Sequence, residues 1–317
     1  MIPTPQRLRT NRLWSAAAAS LAALAAAAAA WSVLRGREGL FAAGLAGALA
    51  WLAVYRLGTR IWRRRLKVLA RPFPAAWEGI LTERVAFYAA LTDAQKARFR
   101  KLVAIFLDET PITAAGCEAD EACHLLVAAS AVIPIFALRG WEYRHLREVV
   151  VRGEQFDFLF PGQSNVTTDI QGLVGNTGGA FHGTMVLSKA DLIGGFEARG
   201  GKHHVGIHEF AHLIDKADGA VDGVPASLPP ECLQPWLRLV RAELDRAWGG
   251  WSDIPEYAFT NEQEFFAVAS EYFFQSPDEL AANHPELYEI LQRVFRQNMR
   301  ARLGRLVRRR RRPRGAP

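Results

Sequence analysis

Two histidines four residues apart place the strongest constraint on how this 317-residue chain can fold. His208 and His212 lie in the stretch His-Glu-Phe-Ala-His, and apolar residues at helical spacing surround it. On a helix, side chains four residues apart project from the same face, so two imidazole nitrogens can be directed at one point. Glu209 lies about 100° further round the helix, beside that point. The pattern predicts a buried helix with two zinc ligands and a carboxylate that holds a water molecule. Two surface histidines on an ordinary helix are the alternative.

A third ligand must come from elsewhere, because a catalytic zinc ion usually has three protein ligands and one open position. The candidate carboxylates downstream are Asp215, Glu231, Glu264 and Glu271. Asp215 lies about one turn past His212 and is better placed to orient a ligand imidazole. Glu264 and Glu271 share one face of an aromatic-rich helix predicted over residues 261–275, where a buried carboxylate needs a partner. The spacing does not separate these two, and a capping box with Asn261 is the alternative role of Glu264.

The N-terminal part contains two runs without a charged residue, at positions 13–34 and 40–55. The first run is long enough to span a bilayer, and the second reaches that length with its flanks. The first run is too long for the apolar core of a typical signal peptide, and a second run follows it. A soluble helical hairpin is the remaining alternative, because alanine is only weakly hydrophobic. Small residues such as Gly44 and Gly47 allow two spans to pack closely.

Positive charge flanks the two apolar runs. Residues 1–12 carry three arginines, and six arginine or lysine residues follow the second run at positions 56–67. The loop between the runs carries two arginines and one glutamate. The positive-inside rule therefore predicts an inner (cytoplasmic) membrane location, with the catalytic domain facing the cytoplasm. The net charge of +7 is concentrated in such local clusters, so no specific nucleic-acid site is expected.

Three cysteines, Cys117, Cys123 and Cys232, are an odd number without the spacing of a disulfide framework. They predict reduced thiols in a reducing compartment, which agrees with a cytoplasmic domain. Cys117 and Cys123 could form a second metal site with His124. Packed thiols are the favoured interpretation, because no fourth ligand is nearby in the sequence.

The rest of the pattern is mainly helical with a small sheet, which is an α+β fold. Helices are predicted over residues 81–107 with a break at Thr92, 122–138 with Pro134 near the end, 234–248 and 285–303. Short strands are predicted at 146–151 and 184–187, with a loop at 161–183 between them. The glycines within 172–179 lack the lysine and the strand-to-helix context of a phosphate-binding loop.

Two segments carry a resemblance to a known family. The stretches His-Glu-Phe-Ala-His-Leu-Ile-Asp at 208–215 and Tyr-Ala-Phe-Thr-Asn-Glu-Gln-Glu at 257–264 resemble the Mlc titration factor A family of zinc metallopeptidases. An Asp-Gly-Val-Pro turn at 222–225 adds to the resemblance, which runs from about Trp77 to about Phe295. In that family, and in the similar catalytic domain of anthrax lethal factor, the third ligand is a glutamate seven residues after a tyrosine.

The resemblance implies that Zn2+ binds to His208, His212 and Glu264. Glu209 is then the general base, and Tyr257 donates a hydrogen bond to the oxyanion of the tetrahedral intermediate. Glu271 takes a supporting role behind the ligands. The implied fold is a zincin-like metallopeptidase domain, mainly helical with a small sheet, preceded by a transmembrane helical hairpin.

The expected organisation is a basic N-terminus (1–12), two transmembrane helices (13–56), a basic linker (57–75), the metallopeptidase domain (76–303) and a basic disordered tail (304–317). The resemblance implies an aminopeptidase-like activity on peptide or protein substrates. The alternative that it leaves open is a binding protein that sequesters a transcriptional repressor of sugar uptake, with hydrolysis secondary.

Two weaker features lie upstream of the histidine pair. The strand at 184–187 is either an edge strand that pairs with an extended substrate or an ordinary strand of the sheet. His203 and His204 are expected to be exposed turn residues rather than ligands.

Overall fold

A computed structural model describes residues 2–153, 183–198, 200–248 and 252–311 of the chain. These residues divide into two compact units, Ile2–Pro72 and Phe73–Pro317. The loop predicted at 161–183 lies outside the described residues except for Gly183, as do the glycines within 172–179.

The first unit is a pair of long helices, α1 (Pro5–Val33) and α2 (Gly36–Leu69). Both are long and apolar enough to cross a membrane by length and composition. They pack closely at two glycines: a Cβ added at Gly47 would lie 3.2 Å from the Ala23 carbonyl oxygen, and one added at Gly58 would lie 2.6 Å from Ser15 Oγ. Gly44 has nothing within 4 Å of an added Cβ, so the close contact predicted there falls at Gly58 instead.

Helix α2 does not end with the apolar run. It continues without a break through the basic residues at positions 56–67 and ends at Leu69. Arginine, lysine and leucine are good helix formers, which accounts for a continuous helix where the sequence predicts a linker.

The second unit is mostly helical, as the sequence predicts, and it contains one small sheet. The helices among its described residues are α3 (Ala75–Arg84), α4 (Ala86–Ala89), α5 (Asp93–Glu109), α6 (Glu121–Ile135), α7 (Lys189–Glu197), α8 (Val205–Asp215), α9 (Leu233–Trp248), α10 (Glu262–Gln275), α11 (Pro277–Asn283), α12 (Pro285–Phe295) and α13 (Met299–Arg311). In the same described segments, short 3-10 turns cover Lys216–Asp218, Pro230–Cys232 and Glu256–Phe259.

The sheet has three parallel strands in the order β1 (Ile112–Ala115), β2 (Glu148–Arg152) and β3 (Thr184–Ser188). Val149 pairs with Ile112 on one side and with Met185 on the other. Strands β2 and β3 lie where β-branched residues predict them. Strand β1 is not predicted from the sequence, because its four residues Ile-Thr-Ala-Ala include only two with a strong strand preference.

Local sequence signals explain several helix ends. Thr92 and Gln95 form a capping box at the start of α5. Pro134 is the second-last residue of α6, so the helix ends one residue after the proline, as the sequence predicts. The helix predicted over 285–303 is broken at Arg296, whose φ of 53° is left-handed. Helix α13 then continues to Arg311, which is eight residues beyond the predicted end at 303.

Helix α8 carries the histidine pair and is buried along its whole length. It packs against α6 on one side and α10 on another. Gly206 makes the first of these contacts possible, because an added Cβ would lie 2.2 Å from Ser130 Oγ on α6. This close approach fixes where the two histidines lie in the core.

Candidate metal centre

Three buried side chains from two helices converge at one point. His208 Nε2 lies 3.1 Å from His212 Nε2, and Glu264 Oε2 lies 3.1 Å from the first nitrogen and 3.6 Å from the second. A tetrahedral ion with bonds of about 2.0–2.1 Å separates its ligand atoms by roughly 3.3 Å. The three atoms therefore have the spacing of a zinc coordination shell. Among the described residues, the His, Cys, Asp or Glu side chains that lie close enough in a group of three or more to hold one metal ion are these same three, those of His208, His212 and Glu264.

The hydrogen bond behind His208 decides which way its lone pair points. His208 Nδ1 lies 2.7 Å from Glu271 Oε1, and a carboxylate can only accept, so this nitrogen carries the proton. Burial works to lower the pKa of His208, but the carboxylates of Glu271 and Glu264 outweigh it and raise the pKa well above its usual value. A cation at Nε2 therefore competes with a proton for the lone pair that this nitrogen directs toward Glu264 and His212. Burial lowers the pKa of His212, which keeps that imidazole available as a second neutral donor of electrons. Such a set of lone pairs is suited to a cation.

Glu264 is a ligand candidate despite its position at the third residue of helix α10. Asn261 caps this helix, and its Oδ1 accepts from the backbone N–H of Glu264 at 2.9 Å. The Glu264 side chain does not complete a capping box; it is 1% exposed and faces the histidines. The two imidazole nitrogens lie 3.1 and 3.6 Å from Glu264 Oε2, and no other described residue donates a hydrogen bond to its two oxygens. Burial works to raise the pKa of Glu264, but the two imidazoles outweigh it and hold the pKa well below its usual value.

Glu209 is buried beside the converging atoms and its Oε1 has no hydrogen-bond partner among the described residues. Burial raises the pKa of Glu209 to about 8, the His208 ring opposes this, and Glu264 and Glu271 add to it. A cation held by the three ligands would lower this pKa by direct attraction. An orphaned carboxyl group next to a metal site is able to accept a proton from water.

Tyr257 lies in the 3-10 turn Glu256–Phe259 that precedes α10. Its ring centroid is 6.1 Å from that of His208. The tyrosine and Glu264 are thus held by one short segment of chain, and both border the histidine pair.

Glu271 contacts two parts of the helix that carries the histidines. Its Oε1 accepts from His208, and its Oε2 accepts from the backbone N–H of His204 at 2.5 Å. Asp215, which the sequence suggests for orienting an imidazole, instead accepts from the backbone N–H of Gly223 at 3.1 Å. Asp215 therefore holds the turn after α8, and Glu271 orients the imidazole ring of His208.

The two histidines before α8 differ from one another. His203 is exposed, as expected, with 74% of its side-chain surface accessible. His204 is buried, which the sequence analysis did not predict, and its Nδ1 accepts from the Ile207 N–H at the start of α8. Burial lowers the pKa of His204 to about 4, so the ring is neutral and acts as a helix cap.

The possible second metal site at Cys117, Cys123 and His124 is not assembled. His124 Nδ1 contacts the backbone oxygen of Asp120 at 2.8 Å, and Cys117 Sγ contacts that of Val151 at 3.6 Å. All three cysteines are free thiols.

Strand β3 packs against α8 and has β2 as its neighbour on one side. A further strand on its other side is not found in the described part of the chain. This arrangement leaves the edge-strand prediction open.

A polar cluster around Asp253 is not predicted from the sequence. Lys202 Nζ contacts Asp253 Oδ2 at 2.7 Å, and the same oxygen accepts from Tyr272 at 2.7 Å and from Asn283 at 2.8 Å. His284 Nε2 lies 2.5 Å from Asp253 Oδ1. The cluster links the turn before α8 to the segment that leads to Tyr257. Its members come from distant parts of the chain, so no local spacing of residues predicts the cluster.

Comparison with known proteins gives a consistent picture. Residues 59–296 match the family described as glucose-regulated metallo-peptidase M90. An uncharacterized protein of Synechocystis sp. is 28% identical over 74% of this chain and 88% of its own length. Mlc titration factor A of Cronobacter sakazakii is 26% identical over 72% of this chain and 87% of its own, and that of Salmonella agona is 27% identical over 72% and 88%.

Proposed function

The chain belongs to the glucose-regulated metallo-peptidase M90 family, and from this membership we propose that it is a zinc-dependent peptidase. The observation that carries the proposal is the convergence of His208 Nε2, His212 Nε2 and Glu264 Oε2 within 3.6 Å of one another. These three residues would hold the ion. Two neutral imidazoles and one carboxylate are a donor set that suits Zn2+, and they leave a coordination position open.

Zinc, when bound, supplies a Lewis acid that polarises the peptide carbonyl and lowers the pKa of water. Glu209 accepts the proton of the attacking water and returns it to the amine that leaves, which is the role of a general base followed by a general acid. Its burial and its unpartnered Oε1 support this assignment. The low-polarity surroundings strengthen each of these charge interactions.

Tyr257 donates a hydrogen bond to the oxyanion of the tetrahedral intermediate. Its ring borders His208 and its segment leads directly into the helix of Glu264. We propose peptide substrates cleaved in an aminopeptidase-like manner, with β3 beside α8 as the strand that an extended peptide could pair with.

Replacement of Glu209 by Gln tests this reaction. The Glu209→Gln variant should lose at least about 100-fold in the rate of peptide-library hydrolysis, while zinc measured by mass spectrometry stays at the wild-type level. Glu262→Gln is the control, because Glu262 is an exposed glutamate on α10, and it should retain both zinc and activity. Undiminished hydrolysis by Glu209→Gln, or no zinc in metal-replete wild-type protein, would overturn the proposal.

A second function is favoured by the name of two relatives, Mlc titration factor A. In this alternative the chain binds and sequesters a transcriptional repressor of sugar uptake, and hydrolysis is secondary. Glu209→Gln separates the two functions, because the carboxamide removes the base and leaves the surface unchanged. A cellular phenotype that survives Glu209→Gln would favour binding over catalysis.

We further propose that α1 and α2 anchor the chain in the inner membrane, with the catalytic unit in the cytoplasm. Both helices are long and apolar enough to cross a bilayer. Fractionation should place the full-length chain in the membrane fraction, and protease added to intact spheroplasts should leave residues 73–317 uncut. Full-length protein in the soluble fraction would refute the anchor without affecting the peptidase proposal.

A further inference from the structure

Given the membrane anchor proposed above, we propose that one end of the helical hairpin is a binding surface for the headgroups of anionic phospholipids. The basic surface is defined by eight exposed side chains: Arg7, Arg9, Arg12, Arg56, Arg60, Arg63, Arg64 and Lys67.

Antiparallel pairing brings these residues together from two distant segments. Asn11 Nδ2 donates to the Gly58 backbone oxygen at 3.2 Å, across 47 positions. A Cβ added at Gly58 would lie 2.6 Å from Ser15 Oγ, so the two helices touch at this level. The start of α1 and the second half of α2 therefore form the same end of the hairpin, and their arginines share one surface.

The hairpin's own sequence is rich in basic residues and nearly without acidic ones. Glu38 is the sole Asp or Glu within residues 1–77, and it belongs to the opposite end. There it accompanies Arg35 and Arg37, so that end carries little net charge. The positive potential is thus concentrated at one end, where it attracts anions over a distance set by salt screening.

Aromatic residues mark the border between the apolar and basic parts. Trp14 is 74% exposed and comes two positions after Arg12. Trp51 and Tyr55 stack with ring centroids 4.9 Å apart, just before Arg56. Tryptophan and tyrosine favour the level of lipid headgroups, so the basic surface lies where phosphate groups of the bilayer are found.

The apolar side chains beside the arginines favour lipid over nucleic acid. Leu57 is 67% exposed and Ile61 is 57% exposed, and they alternate with Arg56 and Arg60. A nucleic-acid backbone is polar and charged, so it offers no apolar surface to exposed aliphatic groups between the cations. A membrane interface accepts both, since the acyl region takes the aliphatic groups and the headgroups take the arginines.

The experiment uses the full-length chain in bilayers of equal parts phosphatidylcholine and phosphatidylglycerol. Spin-labelled analogues of each lipid report the fraction immobilised on the protein, and their ratio gives the preference. We expect phosphatidylglycerol to be preferred by about fivefold at low salt, with the preference falling at high NaCl. The Arg56→Gln/Arg60→Gln variant should lose most of it.

Arg35→Gln/Arg37→Gln is the matched control, because it removes the same number of charges from the opposite end. It should keep the wild-type preference. Equal immobilisation of the two lipids by wild-type protein, or an equal loss in both variants, would overturn the inference. The inference would also be overturned if the Arg56→Gln/Arg60→Gln variant kept the wild-type lipid preference but lost the binding of wild-type protein to a short DNA duplex. None of these outcomes bears on hydrolysis by Glu209, which is assayed separately.

Discussion

Glu271 Oε1 accepts a hydrogen bond from His208 Nδ1 at 2.7 Å, across 63 positions of the chain. The bond fixes the tautomer of His208 and turns its other nitrogen toward Glu264. The second oxygen of the same carboxylate holds the backbone N–H of His204 at the start of α8. Glu271 thus controls how the His208 imidazole is presented to Glu264 and His212.

We therefore expect Glu271→Gln to weaken zinc binding by about 10- to 100-fold, because a carboxamide oxygen is a weaker acceptor for His208. Competition with a fluorescent chelator measures the affinity. The exposed Glu262 on α10 supplies the control, and Glu262→Gln should bind zinc as the wild type does. Unchanged affinity in Glu271→Gln would show that the hydrogen bond does not support the ligand.

Removal of the metal should lower thermal stability, because the ion binds the folded chain and not the unfolded chain. At a free zinc concentration of about 100 times Kd, the loss corresponds to roughly 2.7 kcal/mol, or several degrees in Tm. The measurement is a melting curve with EDTA and with added zinc. Glu264→Gln should melt at nearly the same temperature under both conditions, since it lacks the carboxylate ligand. A wild-type Tm that ignores EDTA is the contrary result.

Gly206→Ala should destabilise the chain by about 1–3 kcal/mol through overpacking. The reason is the 2.2 Å approach between an added Cβ and Ser130 Oγ. Gly194→Ala is a matched control, because this helical glycine has nothing within 4 Å of an added Cβ. It should be neutral or gain up to about 1 kcal/mol from helix propensity. Urea denaturation distinguishes the two, and equal stability of both variants would contradict the close packing.

The His284 pair with Asp253 predicts a pH dependence of stability. Burial works to lower the pKa of His284, but hydrogen bonds to the carboxylates of Glu243 and Asp253 outweigh it and raise the pKa. This contribution is complete below the unfolded pKa of about 6.5 and is lost as pH rises through the higher folded value. Burial likewise works to raise the pKa of Asp253, but Lys202 and His284 lead the contacts that hold it well below its usual value. That contribution is present above about pH 4 and is lost as pH falls further.

The two contributions overlap between about pH 4 and 6.5, so the Tm difference between wild type and His284→Gln should be largest there. The difference should shrink by a few degrees as pH rises above the folded pKa of His284. Melting curves across pH 4–9 measure it. His145→Gln controls for the loss of an exposed histidine and should show no such trend. A difference that grows at high pH would contradict the assigned sign.

The sequence predicts most of what depends on local pattern. The pairing of His208 and His212 follows from helical spacing, and the Thr92 cap and the strand at 184–187 follow from residue preferences. The fold class follows in the same way. The α+β arrangement and the hairpin of long apolar helices are both present in the structure.

What the sequence could not predict depends on contacts between distant segments. Spacing left Glu264 and Glu271 equivalent, and only the packing of α10 on α8 gives them different neighbours. Asp215 and His204 were assigned wrongly for the same reason. One is placed by the turn at Gly223, and the other is buried by the turn before α8.

Helix α10 carries both Glu264, which faces Nε2 of His208, and Glu271, which holds Nδ1 of the same ring. Two glutamates that lie two turns apart on α10 thus contact the two ring nitrogens of one imidazole. A shift of α10 along its axis by one residue would move both carboxylates away from the His208 ring at the same time. The position and the orientation of the His208 ring therefore both depend on where α10 lies. A homologue or a designed variant that keeps these two contacts can move the ring only by shifting the whole helix.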